Sequence, residues 1–280
     1  MEELAMPRTG KVSKAPEGYY TASEAIKRLN MPKTTFHHYV KTGKIKKKMP
    51  YGRKEGYYEK SYIDKMAEAS QLYAIQYAEE PTTFSVATRE DAQGIYQVIT
   101  SLWGTLSATP VEKRLEWYQS NPEIDYVVKH EGIVTGYLSI MPLRHEVIEE
   151  LMRAQKRGWD IKAADILSFT PGVELECYVG AAVRAGMHDS KKYGMRLISG
   201  AMRVLKDFAQ RGIMIKKLYG ASDTPDGIRL SRGLGFEETP PAPGSTFIQF
   251  TLDLETSQSP FIQEYREILQ TNQQEKIREL

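Results

Sequence analysis

Two carboxylates stand two residues apart in the run Glu174-Leu175-Glu176-Cys177-Tyr178-Val179. In an extended strand, alternate residues share a face, so Glu174 and Glu176 point the same way. Such a pair can take a proton from a substrate, directly or through water, or it can face solvent at the start of a strand. Downstream, Lys191-Lys192-Tyr193-Gly194-Met195-Arg196 leads into a helical stretch. Backbone N–H groups at a helix start favour an anion, and a glycine there lets one approach. The pattern alone also fits an ordinary helix start. His188 precedes it with a ring that titrates near neutrality, and its loop position suits phosphate contact or simple exposure. A third constellation is basic: Lys33, Lys41, Lys44, Lys46, Lys47, Lys48, Arg53 and Lys54 crowd one short segment. His37 and His38 are adjacent, so on a helix they diverge and do not make a metal pair. Cys177 is the only cysteine. It excludes an intrachain disulfide and a multi-cysteine zinc site, and it reads as a small core hydrophobe rather than a nucleophile. No metal site is expected.

These groups need a scaffold, and 280 residues suggest two domains. Hydrophobic residues at 41% and charged residues at 26% exclude a wholly disordered or collagen-like chain. No apolar run approaches the length of a membrane helix, so no membrane partner is expected. The N-terminus lacks the apolar core of a secretory signal, and a lone thiol suits a reducing compartment, so the cytoplasm is the expected location. The net charge of +2 conceals an asymmetry: residues 1–66 hold 15 Lys and Arg against 7 Asp and Glu, and the remainder is acidic. A basic segment on an acidic body points to one part that meets polyanions and one that does not.

Residues 1–18 read as a flexible arm and 19–80 as a compact basic domain. Thr21 and Glu24 form a capping-box pattern, followed by Ala22, Ala25, Ile26 and Leu29 on one helical face. Pro32 opens a second helix over Lys33–Thr42, with Phe36, Tyr39 and Val40 apolar and Gly43 ending it. Two short strands, 45–49 and 56–59, are expected around a basic turn, and a closing helix from Ser61. Residues 84–254 alternate strand-like and helix-like stretches, which argues for an α/β domain. Strands are expected at 84–88, 125–130, 134–140, 174–183, 214–220 and 246–252, and helices through Ile99, over 146–157, 193–211 and 225–234. Residues 255–280 form a polar tail that keeps helical spacing at Ile262, Tyr265, Ile268 and Leu269.

The string YTASEAIKRLNMPKTTFHHYVKTGKI with its basic hairpin resembles the winged helix-turn-helix of the MerR and phage-excisionase group. The resemblance implies DNA as a partner, with Lys33, Thr34, Thr35, His37, His38 and Lys41 facing the major groove. Arg53 and Lys54 in the wing would meet phosphates or the minor groove. Without the resemblance, the lysines can equally be a solvated face on a protein-contact module.

The second domain resembles the GNAT N-acetyltransferase family, an α/β fold with a mixed sheet and flanking helices. One carrying string is VRAGMHDSKKYGMRLISGAM, where Lys191, Lys192, Tyr193, Gly194, Met195 and Arg196 occupy the family's cofactor loop. Lys191 keeps the basic first position, Gly194 the required glycine, and Arg196 replaces the small final residue. The other is TPDGIRLSRGLGFEET, in which Pro225, Ile228, Leu230, Gly235 and Phe236 keep the pattern. Thr224 replaces an Asn that contacts the coenzyme, and Ser231 replaces the Tyr that acts as general acid. An aliphatic hydroxyl is a poorer acid than a phenol, so Tyr219 and Tyr178 become candidates for that step.

The resemblance implies acetyl-CoA as cosubstrate and direct attack by an amine on the thioester. Glu174 or Glu176 would take the amine proton, and the backbone N–H near Val183 would polarise the carbonyl. Three functions stand against one another: a DNA-binding-domain-fused N-acetyltransferase, a transcription regulator that senses acyl-CoA without catalysis, and an interaction protein. A helix-turn-helix module also suggests a homodimer, through the 61–79 helix or the tail; alternatively both pack on their own chain, or the tail is disordered.

Overall fold

The computed structural model describes residues 15–49, 56–77, 82–241 and 244–278. The chain divides into two compact units between Tyr77 and Ala78. In the first, β1 (Tyr19–Tyr20), α1 (Ala22–Leu29), α2 (Lys33–Lys41), β2 (Tyr58–Glu59) and α3 (Lys60–Tyr77) surround a small core. The Thr21–Glu24 capping box forms, and Asn30 ends α1 in the left-handed region at φ 48°. That single residue turns the chain so that α2 restarts at Lys33. Phe36 is fully buried against Ala25, Leu29, Ile45, Tyr58 and Ile63. Asp64 on α3 binds Arg28 on α1 and accepts from Tyr20 Oη at 3.2 Å, tying both helices together.

The two expected strands of the basic hairpin do not form as such. Residues 45–49 make no strand, and one bridge, Lys48 to Tyr57, joins the two segments. Instead β2 pairs antiparallel with β1, Tyr19 opposite Glu59. The reason is local. Ile45 is drawn into the core, and the three lysines after it carry no buried alternation that could hold a ladder. The turn between, with Arg53 and Lys54, lies outside the described residues, as do residues 1–14 of the arm.

The second unit is a mixed α/β structure. Its strands are β3 (Thr82–Val86), β4 (Asp125–His130), β5 (Ile133–Pro142), β6 (Glu174–Val183), β7 (Met214–Ser222), β8 (Glu237–Thr239) and β9 (Ile248–Asp253). They form one seven-stranded sheet in the order β3-β4-β5-β6-β7-β9-β8. Every neighbouring pair is antiparallel except β6–β7. Helices α4 (Ala92–Trp103), α5 (Val111–Ser120) and α6 (His145–Met152) pack on one face through Ile95, Val98, Trp117, Val147 and Ile148. Helix α7 (Ser190–Arg211) and α9 (Pro260–Arg278) cover the other through Leu197, Phe208, Ile262 and Tyr265. Helix α8 (Pro225–Leu234) links β7 to β8.

Several boundaries differ from expectation. The first strand of this unit is 82–86 rather than 84–88, the last is 248–253, and β8 carries no apolar signal that could have announced it. The helix expected over 146–157 stops at Met152, because Ala154 adopts φ 56°. The tail is neither free nor separate. Tyr265 donates from its hydroxyl to Ile213 O at 2.9 Å and accepts from Ile215 N at 2.8 Å. Asn272 Nδ2 donates to Gln210 O at 2.7 Å, satisfying a carbonyl in the last turn of α7. Among the described residues, no helix is long and apolar enough to cross a membrane.

A buried polar hub locks α5 to the sheet. Asp125, fully buried at the start of β4, accepts from Arg114 and Ser139, and from Tyr118 Oη at 2.9 Å. Three donors offset the cost of taking a carboxylate out of water, and removing one partner would leave a buried charge uncompensated. On the opposite face, Gly200 of α7 meets Phe84 of β3. A Cβ there would lie 2.3 Å from the Phe84 ring, which is stacked on Tyr126 and lies under Arg203. Gly200→Ala should therefore destabilise the unit by about 1–3 kcal/mol. Gly233 has nothing within 4 Å of its Cβ position, so Gly233→Ala in helix α8 should stabilise by up to ~1 kcal/mol. Thermal melts of the two variants, moving in opposite directions, check the packing.

Candidate functional site

The parallel ladder between β6 and β7 is shorter than either strand. It joins Glu174–Tyr178 to Met214–Tyr219, with a register shift between Leu175 and Glu176. Beyond it, β6 continues along β5 as far as Gly136 opposite Val183, and β7 continues along β9 as far as Ser222 opposite Ile248. The two strands thus part at their carboxyl ends, where crevices in α/β sheets take ligands. The side chains on the β6 lip are small: Gly180, Ala181 and Ala182 precede Val183. Both lips are held from one helix end. Ser101 Oγ of α4 accepts from Ala185 N at 2.9 Å, and Trp103 Nε1 donates to Asp223 at 3.3 Å.

Helix α7 starts a few residues after β6. Its N-cap, Asp189, supplies no side-chain cap. Gly194 lies in its first turns, where a Cβ would meet only Val183 Cγ2, at 3.9 Å. This helix glycine and the last residue of β6 are therefore neighbours, with room between them for no more than a methyl group. Lys191 is exposed and Lys192 and Met195 are half-buried beside it. Tyr193 turns inward, buried against the His130 ring. Arg196 reaches Thr82 O at 3.0 Å, away from the loop backbone. Thr224 spends its hydroxyl as the N-cap of α8, accepting from Gly227 N at 3.1 Å. His188 is exposed and lies 3.2 Å from Asp189.

The two strand carboxylates have different surroundings. Glu174 is exposed and pairs with Lys216 at 2.7 Å. Glu176 is 23% exposed and accepts two hydrogen bonds, from His145 Nδ1 at 2.6 Å and from Tyr219 Oη at 2.9 Å. Tyr219 is the last β7 residue of the ladder, so this cluster sits where the strands part. Ser231, in α8, makes no side-chain hydrogen bond among the described residues. Tyr178 points into the core under α4–α6, and burial pushes its phenol up to about 12. Burial, reinforced by Glu176, also raises Tyr219, which stays protonated across the neutral range. Cys177 is fully buried and its thiol is pushed up by burial. Among the described residues, no group of three His, Cys, Asp or Glu is arranged to hold a metal ion.

Sequence reasoning does not single out His145. It begins α6, 31 residues before Glu176. The only signal is a histidine three residues past a long strand, in a segment too long for a plain connection. Its ring is 59% exposed. The hydrogen bond to Glu176, with that carboxylate's charge, raises its pKa above the ordinary value, and Glu149 and Glu146 act in the same direction. The imidazolium therefore persists to higher pH than in a free histidine. An NMR titration of the His145 ring should show this raised midpoint, and Glu176→Gln should return it towards the ordinary value. A midpoint at the ordinary value in the unmodified protein would mean that the pair does not form in solution.

No family model and no curated protein matches the chain. Solved structures do. A protein from Salmonella typhimurium with its cofactor acetyl-CoA is 18% identical over 65% of this chain and 98% of its own, with a TM-score of 0.43. The loading GNATL domain of CurA from Lyngbya majuscula is 11% identical over 63% and 99%, at 0.45. A ribosomal-protein-alanine N-acetyltransferase from Brucella melitensis is 16% identical over 60% and 96%, at 0.39. At these identities and TM-scores the likenesses decide neither activity nor ligand, which must come from this chain's own residues.

Proposed function

We propose that residues 82–278 form a GNAT-type N-acetyltransferase that moves an acetyl group from acetyl-CoA to an amine, and that residues 15–77 bind DNA. The observation that carries the first part is the parted β6–β7 edge with the Glu176 cluster at its root. Parted strands leave backbone donors facing a crevice, where the thioester carbonyl can be held at the N–H near Val183. The α7 start, with Gly194 open and Lys191 and Lys192 nearby, suits a pyrophosphate. Met195 and Arg196 lie past the first turn of α7, where backbone N–H groups are spent inside the helix, so the anion would meet the turn before them. Glu176, His145 and Tyr219 then handle the proton that the amine must lose. The pairing with Lys216 makes Glu174 a surface residue in this reading. The Thr224 cap and the unpartnered Ser231 hydroxyl leave both short of the family's roles, which favours water as the group that protonates the departing thiolate.

Calorimetric titration of acetyl-CoA tests the reading. The unmodified protein should bind, and Gly194→Trp should weaken binding by roughly tenfold or more, because the indole would crowd the approach beside Val183. Binding with no turnover on an amine panel would select the acyl-CoA sensor. No binding would remove both.

The DNA-binding part is supported by charge and exposure on α2. Lys33, Thr34, His37, His38 and Lys41 are polar or basic positions on this helix, Thr35 is half-buried, and Phe36 anchors the opposite face. Lys44, Lys46, Lys47 and Lys48 extend the basic surface. Binding to a duplex of arbitrary sequence, followed by fluorescence anisotropy, should weaken steeply with salt. Replacing Lys33 and Lys41 by Ala should lower the salt slope by roughly 0.9 for each phosphate no longer neutralised. A salt-independent signal, or none at low salt, would leave the lysines as a solvated face.

A further inference from the structure

We propose that His145 receives the proton from the acceptor amine while Glu176 holds its ring; this inference rests on the acyl-transfer reading above. Both Glu176 oxygens are already engaged, Oε2 by His145 Nδ1 and Oε1 by Tyr219 Oη. An ionised carboxylate only accepts, so Nδ1 carries the hydrogen and the neutral ring has its lone pair on Nε2. Nε2 is the nitrogen not bound to Glu176, on a side chain that is 59% exposed, whereas Glu176 is 23% exposed. Nε2 lies 3.7 Å from Glu149 Oε1, beyond hydrogen-bond distance. A carboxylate that orients an imidazole whose far nitrogen does the chemistry is the arrangement of a hydrolase triad, here without the nucleophile.

The surrounding charges favour the same division of labour. Glu146 and Glu149 face the ring from α6, Glu176 from β6, and Tyr219 bonds Glu176 from β7. Arg153 is paired with Glu149 at 3.2 Å, Arg144 with Asp165, and Lys216 with Glu174. The neighbouring carboxylates stabilise the imidazolium once it forms, and these three cations are already paired. In the reaction, Nε2 takes one proton from the incoming ammonium. The nitrogen lone pair then forms the C–N bond as the C–S bond breaks. The second amine proton reaches the leaving thiolate through water, and the first passes from Nε2 to solvent. Tyr219, still protonated and donating to Glu176, is a positioning residue.

The test measures thiol release from acetyl-CoA with a polyamine, a lysine-containing peptide and an α-amino peptide, from about pH 5.5 to 9. His145→Gln should lower kcat by roughly 100-fold or more, leave the acetyl-CoA Kd unchanged, and abolish the rise of kcat/KM with pH. Glu176→Gln should move that rise to lower pH and retain more activity than His145→Gln. Unmodified rates and an intact pH limb in His145→Gln overturn the inference while leaving acyl transfer standing. So does a far greater loss in Glu176→Gln with the limb unmoved, which makes the carboxylate the direct base. No thiol release by the unmodified protein with any of the three amines overturns the acyl-transfer reading and this inference together.

Discussion

Backbone hydrogen bonding is obligatory in a buried sheet, and the β6–β7 pair honours it only as far as Tyr178 and Tyr219. Past that point each strand remains satisfied on its outer side, β6 by β5 and β7 by β9, while the inner edges lose their ladder. The strands are still close at the start of the divergence, since a Cβ on Gly220 would lie 3.1 Å from Val179 O. The α4 end then fixes both lips, through Ser101 to Ala185 and Trp103 to Asp223. A strand edge left unpaired in this way needs water or a ligand. The small side chains of Gly180, Ala181 and Ala182 leave the approach open.

Two carboxylates of this sheet show how burial separates a rigid anchor from a group that solvent can reach. Asp125 is wholly buried, takes three donors and holds α5, β4 and β5 in one register. Glu176 takes two donors, remains part exposed, and one of its donors is the His145 imidazole, whose pKa it raises. The first arrangement costs desolvation and returns rigidity. The second keeps a charge where a proton can come and go.

Much of this is legible in the chain itself. Periodicity places β6, α8 and the bulk of α7, and the capping box at Thr21 forms as its spacing implies. The strand period also puts Glu174 and Glu176 on one face. What it cannot supply is the parallel register with β7, which brings Tyr219 to Glu176 and leaves Lys216 for Glu174. That register depends on a crossover through a 22-residue helix and on a shift inside the ladder. His145 is hidden for the same reason: its partner lies on a strand beyond an irregular segment with no period to read. Thr224 illustrates the converse, a hydroxyl whose local capping bond competes with any outward role. In the basic unit, a strand is expected over 45–49, yet burial of Ile45 decides the path of the chain.

The assignment of the phenol follows from these contacts. In the proposed acyl transfer, with Ser231 a poor acid, Tyr219 is the obvious alternative for protonating a departing thiolate. A group donates a proton readily only when its environment favours the anion, and here burial and the Glu176 charge both oppose a phenolate. Its hydrogen is already committed to Oε1. The same bond makes Tyr219 useful in another way: it restrains the carboxylate, and through Oε2 the carboxylate restrains the His145 ring. In the proposed reaction, a proton leaving the substrate would therefore meet the His145 ring, backed by hydrogen bonds through Glu176 to a phenol too reluctant to ionise to compete for it.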